Sequence, residues 1–465
     1  MVAMQPGPTQ SVEPCDVVLV SCYELGHEPL GVLTPAGVFD RAGLSARVVD
    51  VAIHDFDPAW VKDVPLVAIS TPMHAALRLG TRVAERVRAL SPDAHICFFG
   101  LYAGLHREQL VPVLADTCLG AEFEKDLLDL ARTLSARGDV PARSVRLTRT
   151  PRRDAGTRER ELDLAPRRPA HDERYARLIC NGEYHQTAYV VTTRGCKHTC
   201  DHCPIPAAYA GHFYALPAAQ ILRDIDAVVA LGARHVTFGD ADFLNGPTHS
   251  LRIARAMHAR HPALTFDYTA KIEHLLAHPH VVDELQSLGN LFVVSAVESF
   301  NDEVLAHLHK GHTAADAIAV IRAFDRRSLS LRPSLMPFSP WETRESLARL
   351  FAIVAHEGLV ERVDPVQYSI RLLLPFGSLL LRDPDVAALA GPLDTTRFSH
   401  PWAHPDPEMD SLQTRLAEIS SAAAGSNEPA ESIFARMAAI AAPGWSLSAS
   451  GRRGANPRLT EDWFC

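Results

Sequence analysis

Two hydrophobic patterns alternate along the chain. Through residues 16–130, short and nearly continuous apolar runs are separated by stretches with helical spacing of their apolar residues. Asp16-Val-Val-Leu-Val leads to a helical pattern near Gly31–Ala42, and Ala46-Arg-Val-Val-Asp-Val leads to a loop. Pro65-Leu-Val-Ala-Ile-Ser precedes a helix through Leu77–Leu90, and His95-Ile-Cys-Phe-Phe-Gly closes a further unit. Continuous apolar runs suit strands buried on both faces, so the alternation predicts a parallel, doubly wound sheet. Residues 138–172 break the pattern: Arg152, Arg153, Arg158, Arg160, Arg167 and Arg168 stand among Pro, Asp and Thr. Interspersed acids and missing aromatics predict a solvated linker there rather than a nucleic-acid contact. Strand–helix alternation resumes over 186–382, and from about Asp383 an Ala-, Pro- and Ser-rich region predicts a helical appendage with loose segments. The expected organisation is a first α/β domain at 14–137, a linker at 138–184, a second α/β domain at 185–382 and a helical region at 383–465.

Composition narrows the setting. The 465 residues suffice for two or three domains, and 47% hydrophobic content allows sizeable cores. No apolar run approaches the ~18–20 residues of a membrane span, and the start Met-Val-Ala-Met-Gln-Pro-Gly-Pro lacks the order of a secretory signal. Nine scattered cysteines show no disulfide framework, and the net charge of −9 argues against nucleic acid as a partner. The expected setting is cytoplasmic, with no membrane partner.

Candidate chemistry concentrates at residues 192–204, Thr-Thr-Arg-Gly-Cys-Lys-His-Thr-Cys-Asp-His-Cys-Pro. Cys196, Cys200 and Cys203 form a CxxxCxxC triad that would leave the fourth iron of a [4Fe–4S] cube without a protein ligand. The alternative is a zinc knuckle that uses His198 or His202 with the cysteines. Zinc knuckles set two ligand pairs about a dozen residues apart, whereas every candidate here falls within eight residues. The preceding Gln186-Thr-Ala-Tyr-Val-Val-Thr-Thr-Arg-Gly195 reads as a buried strand, which puts the cysteines on a strand-to-helix loop.

The triad resembles the cluster loop of radical S-adenosylmethionine (SAM) enzymes, and motifs at later strand ends extend the resemblance over about 185–382. His235-Val-Thr-Phe-Gly-Asp-Ala-Asp-Phe243 resembles the second-strand motif, with Asp240 and Asp242 implied at the SAM amino group. The plainer reading of these two acids is helix N-capping. Phe266-Asp-Tyr-Thr-Ala-Lys271 resembles the third strand, with Lys271 implied at the SAM carboxylate. Phe292-Val-Val-Ser-Ala-Val-Glu-Ser-Phe300 resembles the fourth, with Ala296 in place of the usual glycine and Glu298 implied at the ribose or amine. The helix pattern after it, Asp302-Glu-Val-Leu-Ala-His-Leu-His-Lys-Gly-His-Thr313, also fits. Ser339-Pro-Trp-Glu-Thr343 resembles a Leu-Pro-Gly-Glu-Thr turn after the fifth strand, with Trp341 where glycine is usual. Val366–Leu374 is the expected sixth strand, ending in Pro375-Phe-Gly-Ser-Leu379. The resemblance also implies His202 and Arg332 as cofactor contacts. The fold it implies is a partial (β/α)6 radical SAM barrel, with its chemistry at the C-terminal strand ends.

The first domain resembles the Rossmann-like, cobalamin-binding-type domain that precedes many such barrels, through Gly120-Ala-Glu-Phe-Glu-Lys-Asp-Leu-Leu. Its first loop, Ser21-Cys-Tyr-Glu-Leu-Gly-His27, lacks the Asp-x-His-x-x-Gly motif for a lower cobalt ligand, so cobalamin remains a candidate cofactor beside the cluster and SAM. Cys15, Cys22, Cys97 and Cys118 do not match the auxiliary-cluster spacing of methylthiotransferases. The ending Asn456-Pro-Arg-Leu-Thr-Glu-Asp-Trp-Phe-Cys465 resembles a radical SAM (seleno)protein family whose tail continues as Cys-Ala-Glu-Pro or selenocysteine-Ala-Glu-Pro. That resemblance implies Cys465 as a working thiol. The leading expectation is reductive SAM cleavage that modifies a small molecule of specialised metabolism, with flavodoxin or ferredoxin as electron donor. A variant moves the 3-amino-3-carboxypropyl group of SAM to a heteroatom such as arsenic. The alternative of another class is a zinc-bound, non-catalytic protein that binds nucleic acid.

Overall fold

The computed structural model describes residues 13–111, 113–136, 167–168, 172–426, 428–444 and 457–461. They divide between two compact units, one made of residues up to Glu24, 29–153 and 164–168, the other of 25–28, 154–163 and 169–465.

In the first unit, the apolar runs become strands β1 (Val17–Ser21), β2 (Ala46–Asp50), β3 (Leu66–Ser70), β4 (His95–Phe99) and β5 (Thr117–Leu119). They form one parallel sheet in the order β2-β1-β3-β4-β5. All five residues of β1, β3 and β4 are buried, which is what a sheet covered on both faces requires. Helices Leu30–Arg41 and Glu124–Ser135 bring Val32, Ala36, Phe39, Leu127, Leu130 and Leu134 into the core with Val17, Leu19 and Phe99. Each fully buried leucine or phenylalanine there stabilises the fold by about 1.5–3 kcal/mol. Of the arginine-rich stretch only its end is described. Arg168 pairs with Asp40 and donates to the Ala46 carbonyl, and Arg167 is buried, so this end is docked rather than solvated.

The second unit is built on a seven-stranded sheet in the order β13-β12-β11-β10-β7-β6-β14. Its strands are β6 (Arg177–Cys180), β7 (Glu183–Val190), β10 (His235–Phe238), β11 (Thr265–Thr269), β12 (Asn290–Glu298), β13 (Ser330–Leu335) and β14 (Arg458–Leu459). Strands β7, β10, β11, β12 and β13 are mutually parallel, whereas β6 runs antiparallel to β7 and to β14. A separate ribbon pairs β8 (Thr193–Gly195) with β9 (Phe213–Ala215) around the cysteine loop.

The expected sixth barrel strand is reduced to one parallel bridge, Phe338 with Arg371. Pro365 opens a 3-10 turn over Pro365–Ser369, and the Gln367 side chain, not a strand backbone, accepts from the Leu335 amide at 2.7 Å. The C-terminal helices are more than an appendage. Met409, Leu412 and Leu416 of Pro407–Ala423, with Ile433, Phe434 and Met437 of Ala430–Ala441, belong to the same core as β10 to β13. Among the described residues, no helix is long and apolar enough to cross a membrane.

Candidate functional site at the strand ends

The cysteine loop starts at a position only glycine tolerates. Gly195 has φ +79°, and an added Cβ would stand 2.4 Å from the His212 carbonyl oxygen and 2.7 Å from the Tyr209 ring. The Cys196 amide then donates to that same carbonyl at 3.1 Å, and the Cys203 amide donates to the Cys200 carbonyl at 3.1 Å. Cys196 and Cys200 are buried, Cys203 is half-buried, and none of the three is in a disulfide. Burial pushes the Cys203 thiol up to about 12, and the neighbouring Cys200 and Cys196 add to the rise. Three free thiols on one eight-residue loop fit three irons of a [4Fe–4S] cube.

The two histidines between the cysteines are engaged elsewhere. His198 meets His274 through Nε2 at 3.1 Å and Lys271 Nζ through Nδ1 at 3.3 Å, and His202 Nε2 meets Glu298 Oε1 at 3.4 Å. A zinc knuckle would need to withdraw one of them from these partners.

Asp240 and Asp242, which follow β10, organise the backbone. Asp240 is buried and accepts from the Thr192 amide (2.9 Å), the Thr192 hydroxyl (2.8 Å) and the Thr193 hydroxyl (2.5 Å). It thereby ties the end of β10 to the base of the cysteine loop. Burial pushes its carboxyl up to about 6 against the pull of these hydrogen bonds. Asp242 caps the 3-10 turn Phe243–Asn245 by accepting from the Leu244 amide at 2.9 Å. Its other oxygen accepts from the Lys271 amide (3.1 Å) and meets His274 Nδ1 (2.8 Å). The capping role is therefore present at Asp242.

Lys271 and Glu298 present the charges. Lys271 follows β11, is buried, and lies 3.3 Å from Glu273 Oε2. Glu298 ends β12 beyond a register shift at Ala296, with φ +66°. An irregular strand end in this conformation re-aims a side chain at some cost in strain. Its Oε1 accepts from Lys310 Nζ at 3.2 Å. Burial raises the Glu298 carboxyl, but Lys310 and His202 outweigh it and hold the group down to about 2. The turn after β13 braces this end, because buried Glu342 accepts from the Ser299 hydroxyl at 2.8 Å. Trp341 of the same turn stacks on His307, with centroids 4.1 Å apart.

The structure thus joins His202 to Glu298, and Asp242 to Lys271, around the loop of Cys196, Cys200 and Cys203. Arg332 is not brought there. It sits on β13 in register with Val294, and its guanidinium faces Asp364 at 3.4 Å. Leu335 is the residue in register with Glu298, so Arg332 lies about 10 Å below that level at ~3.3 Å per strand residue. Cys465 lies outside the described residues.

The resemblance assigned no role to Lys310, His274, Glu273, Asn245 or His312. Asn245 Oδ1 lies 3.6 Å from Cys196 Sγ and accepts from the Lys197 amide at 3.3 Å. His312 is buried among Lys310, Lys271 and Glu298, and burial, followed by the two lysines, pushes its imidazole down to about 4. The one legible signal for Lys310 was its place in His-Leu-His-Lys-Gly-His-Thr, a cation a few residues beyond an apolar strand that ends in an acid.

In the first unit, the crevice at the ends of β1 and β3 is where a sheet of this order holds ligands. There the N-terminus of helix Leu30–Arg41 is already capped by Glu24, which accepts from the Gly31 amide at 3.1 Å. Burial pushes the Glu24 carboxyl up to about 8. The first loop's histidine, His27, has Nε2 engaged with Glu461 at 2.9 Å. The described residues therefore offer cobalamin no free histidine from that loop, and at this crevice the helix N-terminus without a side-chain cap is that of His74–Leu90, after β3.

Residues 190–351 match the Radical SAM superfamily. The tRNA-2-methylthio-N(6)-dimethylallyladenosine synthase of Haemophilus influenzae (strain PittEE) is 23% identical over 180 residues, 36% of this chain. The chain spans only 38% of that protein's length. The chain carries a radical SAM domain and is an enzyme, and this family uses a [4Fe–4S] cluster and SAM. The structure of OxsB, a cobalamin-dependent SAM radical enzyme, with aqua-cobalamin and SAM bound, matches at a TM-score of 0.65 and 13% identity, over 91% of this chain and 70% of that one. The radical SAM methyltransferase TsrM from Kitasatospora setae, with cobalamin and [4Fe–4S] cluster bound, matches at 0.54 and 15% identity, over 74% of this chain and 70% of that one. At these identities the likeness is one of fold: a Rossmann-like parallel sheet and a curled half-barrel.

Proposed function

We propose that the chain cleaves SAM reductively at the C-terminal ends of β7 and β10 to β13 and uses the cleavage to modify a small-molecule substrate. The observation that carries this reading is the joining of the three-cysteine loop to the charged strand ends through His202–Glu298 and His198–Lys271. When bound, a reduced cluster supplies one electron to the SAM sulfonium, whose carbon–sulfur bond breaks. Cys196, Cys200 and Cys203 would hold three of the cluster's irons. Lys271 would meet the SAM carboxylate, and Glu298, held ionised by Lys310, would accept from the amine or a ribose hydroxyl. Asp240 and Asp242 act by positioning the loop and Lys271, and Arg332 stays with Asp364 outside the contact set. Burial of these groups keeps water from reactive intermediates. A flavodoxin or ferredoxin is the proposed electron donor. The curated relatives are named for tRNA chemistry, but a net charge of −9 and the partial span of those relatives favour a small substrate here.

A second reading is favoured by the direction of β14, which runs parallel to β7 and so toward the same end of the sheet. In it Cys465 acts as a soft thiol, and the 3-amino-3-carboxypropyl group is transferred to a heteroatom such as arsenic.

Anaerobic incubation of the reconstituted protein with SAM and dithionite tests both readings. The first expects 5′-deoxyadenosine and the second methylthioadenosine, each lost in Cys200→Ala. Formation of neither, with about four irons bound per chain, would overturn the function.

A further inference from the structure

His27 belongs by sequence to the loop after the first strand, yet residues 25–28 group with the second unit. Its side chain is buried, at 4% exposure, with a neighbour on each of two elements of that unit. Nε2 meets Glu461 Oε1 at 2.9 Å, and the ring lies against Tyr189 of β7 at a centroid distance of 4.7 Å. The loop itself is tied down where the Ala176 amide donates to the Gly26 carbonyl at 2.7 Å.

Glu461 directly follows the segment that forms the sheet's last strand. Arg458 and Leu459 pair with Ile179 and Leu178 of β6. The Thr460 amide then donates to the Arg177 carbonyl at 2.9 Å, and the Arg177 amide donates to the Thr460 hydroxyl at 2.9 Å. Two paired residues and a threonine clamp make a marginal strand by themselves, because a short edge pairing has little apolar area behind it. The His27–Glu461 contact adds a buried polar anchor at the end of the segment.

The direction of this strand gives the anchor its meaning. Because β6 is antiparallel to both neighbours, β14 runs with β7, and Leu459 stands level with Leu178 and thus with His185. Glu461 is then about level with Thr187, three residues or about 10 Å short of Val190 at the end of β7. Tyr189 links the same place to the cysteine loop: its hydroxyl donates to the Gly239 carbonyl at 3.4 Å, and a Cβ on Gly239 would stand 2.0 Å from its ring. Asp240, which clamps Thr192 and Thr193, is the next residue.

We propose that His27 is a positioning residue for β14: through Glu461 and Tyr189 it fixes that strand on the sheet edge, running toward the end of the sheet that bears the cysteine loop. This rests on the reading of that end as the reaction site, but its test does not depend on turnover.

Hydrogen exchange of the peptide spanning 457–461, followed by mass spectrometry, would be compared in the full-length wild type, His27→Ala and His27→Gln, with iron content measured on the same samples. Gln restores an N–H donor near the place of Nε2. We expect at least tenfold faster exchange at Arg458 and Thr460 in His27→Ala, return to within about threefold of wild type in His27→Gln, and unchanged iron. Unchanged exchange in His27→Ala would overturn the proposal, as would His27→Gln exchanging as fast as His27→Ala. If His27→Ala fails to fold, Glu461→Ala supplies the same comparison from the other partner: fast exchange at Arg458 and Thr460 supports the anchor, and wild-type exchange overturns it. Absence of SAM cleavage alongside a rescued His27→Gln would remove the proposed function and leave the anchor standing.

Discussion

Lys310 is almost fully buried and Glu298 largely so, and the Lys310 ammonium is the main influence that holds the Glu298 carboxyl ionised. The Glu298 carboxyl, held at about 2 against an ordinary 4.5, contributes stability that is complete above pH ~4.5 and is lost as pH falls toward 2. A shift of this size corresponds to about 3 kcal/mol. In Lys310→Met, burial acts on Glu298 without its main offset. Urea unfolding should then show a loss of about 3 kcal/mol at pH 7 that shrinks as pH is lowered through 4.5. A loss that stays constant between pH 7 and pH 4 would show that Lys310 acts through packing instead. Neither partner announces the pair in the sequence, because twelve residues separate them and only a strand end followed by a returning loop brings them together.

At the scale of elements, the cysteine loop depends on two strand-end devices. Gly195 holds a left-handed backbone with no room for a Cβ. Gly195→Ala should therefore at least halve the iron bound after reconstitution while far-ultraviolet circular dichroism stays unchanged. Asp240→Asn should raise hydrogen exchange across 192–203 several-fold, since a carboxylate that accepts three hydrogen bonds is replaced by a group with one acceptor oxygen. A tenfold weaker SAM affinity with that exchange unchanged would instead return Asp240 to the contact set. Most strands were legible because their apolar runs leave few other conformations; β1, β3, β4 and β10 are buried at every position. The expected sixth barrel strand does not form because Val366–Leu374, despite the apolar character of a strand, has its local hydrogen bonding decided by Pro365 and the Gln367 side chain. Strand β14 was invisible: Arg458-Leu459 carries no periodicity, and its pairing with β6 is a purely tertiary fact.

Across the molecule, the two units are organised around different hydrophobic cores that share no residue. Calorimetry should accordingly resolve two unfolding transitions, and chelation of iron should lower the midpoint of one by several degrees and leave the other in place, because a ligand stabilises only the folded form that binds it. A single transition that moves as a whole would contradict this. The motif set was legible because its residues are local in sequence. The contacts that complete the second unit were not, because they join distant segments: His27 and Glu461 are 434 positions apart.

That separation also has a cost in time. Polypeptides emerge from the ribosome at about 5–20 residues per second, so His27 is made roughly 20–90 s before its partner. Strand β6 is made 278 positions before Arg458, roughly 14–56 s, and for that time its edge lacks its neighbour, which invites pairing with other chains. Nascent chains stalled short of residue 458 are thus the form most exposed to aggregation, and slow translation of the final third would favour precipitation even for a sequence whose finished fold is stable.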